Sequence, residues 1–478
     1  MAVFYNEGET KIRPGVYQRH TNIGTGIMAG AQDGICAIPI QAAWGPLGKV
    51  VKNTKASDLE KNYGTGTYGT GYTLPAATAM FEGGAATVYT YRLGTGGTAA
   101  VKTLGTGDSA ITVTAKYPGT MPLSIAIQAK VGDTTTKEFQ VYANSTLVET
   151  FYFTADNTSE GANLVAATAN SEYVTLTAGE EAQATVATVA LASGGLTGGA
   201  NPTVANTNYS AAFAAFEPYY YNCIALDVND DTNLTLSLLL QAYLDNAYTM
   251  GKLGIAVVGE PTTVTFANRL AHAKAFNGAK VVYLGGGFMA GSESKDGVMA
   301  ICYTAGLIAS TPSNRGITHS VITGATDLCE SLTYSQYEDA ILNGMLMVSM
   351  SPDGSIWYDS GINTLTSPDT ATQDEGWEKI RRVKVRFEMI DRLDRALAPK
   401  IGRISADTDG VADVIQTGQR ILNAMANNEG KLQPGATFVA DPENPLLGDS
   451  AWFIIQADDI DSLEKIYLQY QFRYSQNA

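Results

Sequence analysis

Apolar residues follow two different spacings in the middle of this chain. Between residues 206 and 375, short apolar runs alternate with stretches in which apolar residues recur at helical spacing. Short buried strands that alternate with helices are typical of a parallel sheet. The pattern therefore predicts a βαβαβ unit. Its strands are expected at Cys223–Asp227, Gly254–Val258 and Lys280–Leu284, and its helices at Thr232–Met250 and Thr262–Phe276.

Residues 94–205 have a different pattern. Short segments rich in Thr and Val, such as 110–115 and 123–130, are bounded by turn residues, and a glycine-rich run at 194–199 closes the region. Short alternating segments between turns predict strands. We therefore expect a β-rich outer insertion domain at 94–205, set into an α/β core formed by 23–93 and 206–375.

The C-terminal region returns to helical spacing. Val383, Phe387 and Leu397 share one predicted helix, and Val414 and Met425 share a second. The segments 451–457 and 465–474 then alternate like strands. Residues 376–462 are expected to form a small α+β domain. A chain of 478 residues is longer than a single hydrophobic core usually supports. The predicted fold class is therefore a multidomain α/β and α+β protein.

Both ends of the chain have strand-like arms, at 1–22 and 463–478. A terminal strand can join subunits because it can add to the open sheet edge of a neighbour. We therefore expect the arms to link subunits. The residues predicted to form the linking strands are Val16, Tyr17, Ile466, Tyr467, Leu468, Tyr470 and Phe472.

Charge is unevenly distributed along the chain. The net charge is −16, which argues against nucleic acid as a partner because phosphates require basic groups. Residues 377–403 nevertheless carry a net charge of +5, whereas 441–464 contain seven acids and no base. Such stripes suit docking between unlike surfaces, or form a solvated helix face with i,i+4 pairs such as Glu388–Arg392 and Asp391–Arg395.

Candidate catalytic groups are sparse. Asp227, His272 and Ser349 follow the chain order of a subtilisin-like triad, but no nucleophile turn surrounds Ser349. The run Gly285–Gly291 follows a strand but lacks the acidic partner of a dinucleotide site, so we interpret it as a connection that needs positive φ. Residues 227–231 lack the spacing of a calcium loop. We expect no catalytic, cofactor-binding or metal-binding residues.

Targeting features are also absent from the sequence pattern. Met1–Thr10 lacks the basic start and apolar run of a signal peptide, and no apolar stretch is long enough to span a membrane. The four cysteines show no CxxC spacing, which favours reduced thiols in the core. We therefore expect a chain made in a cytoplasm, without membrane insertion.

Several stretches in order resemble the tail sheath protein of contractile-tailed bacteriophages, in the form common among phages and phage-like particles of Gram-positive hosts. The resemblance spans the whole chain. The segments that carry it are Pro14–Tyr17, Thr114–Thr120, Thr304–Arg315, Gly361–Thr366 and Asp461–Tyr467.

This resemblance implies a structural protein and not an enzyme. Members of the family stack as hexameric rings around a tail tube, and the arms of neighbouring subunits pair as strands. Their middle domain has a non-catalytic subtilisin-like fold, inserted domains lie outside, and the C-terminal domain touches the tube. Contraction of the sheath drives the tube through the target envelope. The partners implied are the chain itself, the tail tube protein, the baseplate and the tail terminator, within a virion assembled in the host cytoplasm.

The basic segment is accordingly expected to face the tube. The residues predicted for this contact are Lys379, Arg381, Arg382, Lys384, Arg386, Arg392 and Arg395. Two alternatives stay open from the sequence: another self-assembling phage component, such as a tube or capsid protein, and an α/β hydrolase.

Overall fold

The computed structural model describes residues 3–4, 17–18, 33–69, 71–230 and 233–473. Val16 of the predicted N-terminal arm lies outside these residues, as does Thr232, the predicted start of a helix. The described residues form ten α-helices, which are α1 Ala56–Tyr63, α2 Leu74–Glu82, α3 Glu160–Ala167, α4 Asn206–Phe216, α5 Thr235–Thr249, α6 Phe266–Phe276, α7 Val298–Ser310, α8 Tyr334–Leu342, α9 Ile380–Leu397 and α10 Thr408–Asn427.

The strands of the first half of the chain are β1 Val3–Phe4, β2 Tyr17–Gln18, β3 Ile35–Ile40, β4 Val50–Asn53, β5 Thr87–Arg92, β6 Val101–Leu104, β7 Ile111–Ala115, β8 Leu123–Ala129, β9 Thr136–Ala143, β10 Thr146–Thr154 and β11 Val174–Thr177. Those of the second half are β12 Cys223–Ala225, β13 Ile255–Gly259, β14 Val281–Leu284, β15 Phe288–Ala290, β16 Glu293–Lys295, β17 Asp327–Leu328, β18 Met345–Leu346, β19 Val348–Met350, β20 Ile356–Tyr358, β21 Thr437–Ala440 and β22 Phe453–Gln456.

A seven-stranded sheet forms the centre of the molecule, in the order β18-β14-β13-β12-β3-β5-β4. All neighbouring strands are parallel except the edge pair β4–β5, which is antiparallel. Helices α5 and α6 connect β12 to β13 and β13 to β14, so the predicted βαβαβ unit is confirmed. Strands β3, β4 and β5 come from the chain before residue 94 and extend the same sheet on one side, and β18 forms its opposite edge.

Helices cover both faces of this sheet. Helices α2, α7 and α9 contribute residues such as Met80, Ile301 and Val383 to the core on one face, and α4, α5 and α6 contribute Phe213, Leu240 and Phe276 to the core on the other. A Cβ atom on Gly306 would lie 2.1 Å from the carbonyl oxygen of Met80. Glycine in α7 therefore permits the close crossing of α2 and α7.

Residues 101–177 contain two antiparallel three-stranded sheets, ordered β10-β9-β8 and β11-β7-β6. They share a core that includes Val113, Phe139 and Leu164. The buried Arg92 of β5 ties this region to the central sheet, because its guanidinium donates hydrogen bonds to the carbonyl oxygens of Ala42, Gly45 and Pro118. Trp44 also packs against Tyr117 and Tyr173.

The C-terminal region packs α9 and α10 against the β21–β22 hairpin. The predicted segment 451–457 contains β22. The segment 465–474, also predicted as a strand, pairs with no strand of this chain within its described part, which ends at residue 473. Instead, β21 is the partner of β22, and its four residues gave no clear sequence signal.

The glycine-rich run 285–291 differs from the expectation. Only Gly291 has a positive φ, of 62°. Close packing favours glycine at two of the other positions, since a Cβ atom on Gly285 would lie 2.4 Å from the Sδ atom of Met345 and one on Gly287 would lie 2.8 Å from the carbonyl oxygen of Lys295. Within the described ranges, no helix is long and apolar enough to cross a membrane.

Candidate functional site

Helix α9 carries the predicted basic surface and belongs to two hydrophobic cores. Ile380, Val383 and Phe387 pack into the core beneath the central sheet, whereas Val385 and Leu393 pack into the C-terminal core. Apolar residues therefore occupy two faces of the helix along its length. The basic residues occupy the positions between these two faces. Their partners within the chain determine which basic side chains of α9 could bind another molecule.

An acidic segment of the same chain lies along the outer face of α9. We call residues 458–464 the anchor segment. Its Asp459 accepts a hydrogen bond from Nε of Arg382 at 2.5 Å and from Nη2 of Arg386 at 3.0 Å. Burial opposes the ionisation of Asp459, but the hydrogen bonds from both guanidinium groups outweigh it and hold the pKa below its usual range.

The anchor segment continues toward the N-terminal end of α9. Lys379 forms an ion pair with Glu464, and the hydroxyl of Thr318 donates a hydrogen bond to Oε1 of Glu464 at 2.8 Å. Arg381 makes a longer contact with the hydroxyl of Ser462. The point at which the C-terminal arm leaves the molecule is therefore held from two sides.

The inner basic residue of α9 is Lys384, which is 9% exposed. Its ammonium donates hydrogen bonds to the carbonyl oxygens of Ile308, at 2.5 Å, and of Thr311, at the end of α7. The last carbonyls of a helix lack partners within it, so Lys384 satisfies two such acceptors. Burial lowers the pKa of Lys384.

Further along α9, Glu388 and Arg392 form a buried network with the chain after α10. Arg392 makes a bidentate contact with Glu429, with distances of 2.7 and 2.8 Å, and Lys431 lies 2.7 Å from Glu388. Burial would raise the pKa of Glu388, but hydrogen bonds from Lys431 and Ser313 outweigh it and lower the pKa. This network joins α9 to α10.

All seven residues predicted to face the tube thus have partners within the chain. Both predicted i,i+4 pairs are present, Glu388–Arg392 and Asp391–Arg395. The basic stripe pairs with part of the acidic stripe. This pairing was not predicted, although the run of seven acids in 441–464 was a signal for it. The contact with the tube stays a prediction.

The structure separates the three residues of the possible triad. The Asp227 carboxylate accepts hydrogen bonds from Thr73 and Tyr209. His272 Nδ1 lies 2.6 Å from Glu260. The Ser349 hydroxyl donates to Asp359. Each residue therefore has a different partner and no relay connects them.

Within the part of the chain that the structure describes, no metal or disulfide site takes their place. Among the residues the structure describes, no group of three His, Cys, Asp or Glu side chains could hold a metal ion. Cys36, Cys223 and Cys302 are buried free thiols, and Cys329 is a partly exposed one.

Residues 203–364, which include α4 to α8 and most of the parallel sheet, match the family described as the phage tail sheath protein central domain. We refer to residues 203–364, which are similar to this family, as the sheath central domain. The matched family consists of structural proteins and not of enzymes. Asp227, His272 and Ser349 lie within these residues. Their side chains have different hydrogen-bond partners, as expected in a domain without a catalytic role.

Known proteins resemble the chain well beyond the sheath central domain. The protein YqbK of Bacillus subtilis is 24% identical over 98% of this chain and 99% of its own length. The crystal structure of a sheath tail protein from Desulfitobacterium hafniense has a TM-score of 0.68 at 20% identity, covering 90% of this chain and 97% of that one. The helical sheath of the anti-feeding prophage in its contracted state gives 0.56 at 11%, covering 97% and 99%. These likenesses show that the fold is that of sheath proteins.

Outside the sheath central domain, the C-terminal arm is the most exposed apolar segment of the described chain. Tyr467 is 89% exposed and Phe472 is 93% exposed, and Ile466, Leu468 and Tyr470 are also exposed. At the other end, Tyr17 lies in β2, which pairs in parallel with β1. The role of the arms as links between subunits stays a prediction.

Proposed function

We propose that this chain is the structural subunit of a contractile tail sheath. Copies would stack as hexameric rings around a tail tube, and contraction would drive the tube through the envelope of a target cell. The particle would be a virion or a phage-like device assembled in the host cytoplasm, with the tail tube, baseplate and tail terminator proteins as partners. The proposal keeps the domain limits that are expected from the sequence.

One observation carries this proposal. An unpaired apolar arm leaves a sheath-type fold from a point that ion pairs hold in place. A strand without a partner exposes apolar area and unpaired backbone groups, which a neighbouring sheet edge can cover. In the described part of the chain, β21 and β22 pair only with each other, which leaves two open edges on the hairpin, and Val439 and Ile455 are exposed on it. It offers such an acceptor in each copy.

The contact with the tube is proposed for the exposed end of the basic segment. Lys384, Arg381 and Arg392 are under 10% exposed and fix α9 in place, so their charges serve the fold. Arg395 and Arg403 are more exposed. We therefore expect this end of α9 to lie nearest the tube.

Deletion of Ile466–Ala478 tests the proposal. The deletion leaves the anchor segment and all described cores intact, so we expect a folded monomer with an unchanged circular dichroism spectrum that forms no tubes in electron micrographs. A matched control replaces Gln469 and Gln471 with Asn, which keeps the arm and should keep assembly. Tubes of normal length from the truncated chain would contradict the proposal.

A further inference from the structure

Helix α8 has its largest apolar side chains on its outer face. It packs beside β18, the strand at one edge of the central sheet. Tyr334 is 78% exposed, Leu342 73% and Ile341 41%. At about 3.6 residues per turn these three residues share one side of the helix, while Tyr337 and Ala340 on the other side pack into the core. A surface helix normally turns its apolar side inward, and exposed apolar surface of this kind usually marks an interaction site.

The chain around this helix carries charge of one sign. Residues 316–378 contain ten Asp and Glu residues and no Lys or Arg. Glu338 and Asp339 of α8 are exposed, and across the residues that the structure describes neither carboxylate forms a salt bridge. Together with Tyr334, Ile341 and Leu342 they form an apolar and acidic surface, which we call the α8 face.

The opposite edge of the central sheet carries the opposite charge. Strand β4 forms that edge, and residues 49–55 include Lys49, Lys52 and Lys55 but no acid. All three lysines are exposed, and in the described ranges none of them forms a salt bridge. Lysine on an edge strand discourages the addition of another strand. This surface, which we call the lysine edge, is therefore suited to contacts through side chains.

One copy of the chain cannot bring these two surfaces together. Strands β18 and β4 are the two edges of the same seven-stranded sheet, so they are about 29 Å apart at about 4.8 Å between neighbouring strands. The cores packed on both faces of the sheet hold that separation. Two copies can join the surfaces if the α8 face of one meets the lysine edge of the next. Head-to-tail contacts of this kind repeat and generate closed rings or helical filaments.

We propose that the α8 face of one copy binds the lysine edge of the next copy. Glu338 and Asp339 pair with lysines of that edge, and the aliphatic parts of the same lysine side chains cover Tyr334 and Leu342. The inference rests on the proposed function, since it assumes that copies of the chain assemble. It adds a direct contact between central sheets that involves neither terminal arm.

Charge exchange between the two surfaces tests this contact. One variant carries Lys49→Glu and Lys52→Glu, and the other carries Glu338→Lys and Asp339→Lys. Each variant alone places like charges at the contact, so we expect it to polymerise about 10-fold more slowly than wild type. In an equal mixture, alternating copies have opposite charges at every contact, so the mixture should polymerise within about 2-fold of the wild-type rate. Light scattering measures the rates, and electron microscopy identifies the polymers.

A matched control carries Lys252→Glu and Lys274→Glu. Both lysines are exposed, one before β13 and one in α6, and the control has the same net charge as the Lys49→Glu, Lys52→Glu variant. We expect it to polymerise at the wild-type rate. Circular dichroism checks the fold of every variant. If a double variant is unfolded, Lys52→Glu and Glu338→Lys repeat the mixing experiment as single changes.

Three results would overturn the inference while wild-type polymers still support the proposed function. They are variants that each polymerise at the wild-type rate, a mixture that stays as slow as its components, and a control as slow as the Lys49→Glu, Lys52→Glu variant. A wild-type chain that does not polymerise at all would contradict the proposed function and this inference together.

Discussion

Burial changes the pKa of Asp227, a carboxyl group in the core. It lies at the end of β12, fully buried, with hydrogen bonds from Thr73 and Tyr209 to its two carboxylate oxygens. Burial, partly offset by these hydrogen bonds, raises the pKa of Asp227 to about 6. In the sequence, Asp227 stood first in a triad-like chain order with His272 and Ser349, and the structure gives it Thr73 and Tyr209 as partners instead.

The raised pKa predicts a pH dependence of stability. Because the folded chain binds this proton more tightly than the unfolded chain, the contribution of Asp227 is fully present below about pH 4 and lost as the pH rises through 6. Asp227→Asn removes the titration. The free energy of unfolding of the variant minus that of the wild type should therefore rise by about 2 kcal/mol between pH 4 and pH 7.

Urea unfolding at four pH values measures this difference. Asp353→Asn is the matched control, since this carboxylate is exposed and lies outside the core. A difference between Asp227→Asn and wild type that stays constant with pH would show that the carboxylate does not titrate in this range.

At the scale of elements, the anchor segment and α9 show what sequence patterns can and cannot predict. The helical spacing predicted α9, and the pairs Glu388–Arg392 and Asp391–Arg395 followed from it because they lie within one helix. The contact of Arg382 with Asp459 joins residues 77 positions apart. Nothing local specifies such a contact, because it depends on how the chain returns after β22.

The same reasoning explains the arm. Residues 465–474 have the composition of a strand, yet those described here have no partner in a single chain. Composition predicts the tendency to pair, whereas the sheet edge that completes the pairing is expected in another copy. By contrast, β12, β13 and β14 were predicted because their partners and connecting helices follow in order. Hairpin strand β21 was not predicted, although its equally short partner β22 lay within a predicted segment.

Asp459→Asn should loosen the anchor segment. The change removes the charge that pairs with Arg382 and Arg386 and leaves partly buried guanidinium groups with weaker partners, at a cost of about 1–3 kcal/mol. We expect faster proteolytic removal of the arm and slower polymerisation. The pKa of Asp459 lies below its usual range, so its contribution is present above pH 4 and is lost as the pH falls through the lowered value.

Asp461→Asn makes the same chemical change two residues away, at an exposed carboxylate. Limited proteolysis of both variants, followed by mass spectrometry, compares the release of the arm. Equal rates for the two variants would show that the ion pairs of Asp459 do not hold the segment.

At the scale of the whole molecule, α9 joins the central core and the C-terminal core into one unit. Its apolar residues are shared between the central and C-terminal cores, and its charged residues bond to α7 and to the chain after α10. Rigid bodies that repack at their interfaces are one established route of large structural transitions. The proposed contraction would therefore move subunits as units, with the arms as the flexible connections.

This view predicts that contraction needs no nucleotide. Particles assembled with this chain and treated with apyrase should contract after a trigger to the same final length as untreated particles, as measured by electron microscopy. His272→Ala particles should do the same, since His272 contacts only Glu260 among its polar neighbours described here. A requirement for ATP, or an assembled His272→Ala sheath that cannot contract, would contradict a purely structural role.

The anchor segment also determines how the chain responds to tension. Its contacts at Asp459, Ser462 and Glu464 follow one another along α9. Force applied along the axis of the helix would load these contacts together in shear, so that all must yield at once. Force applied across the axis would load Glu464 first and peel the segment away one contact at a time. The joint is therefore expected to be strong in one direction and weak in the other, so the direction of pull would decide whether a moving lattice stays connected.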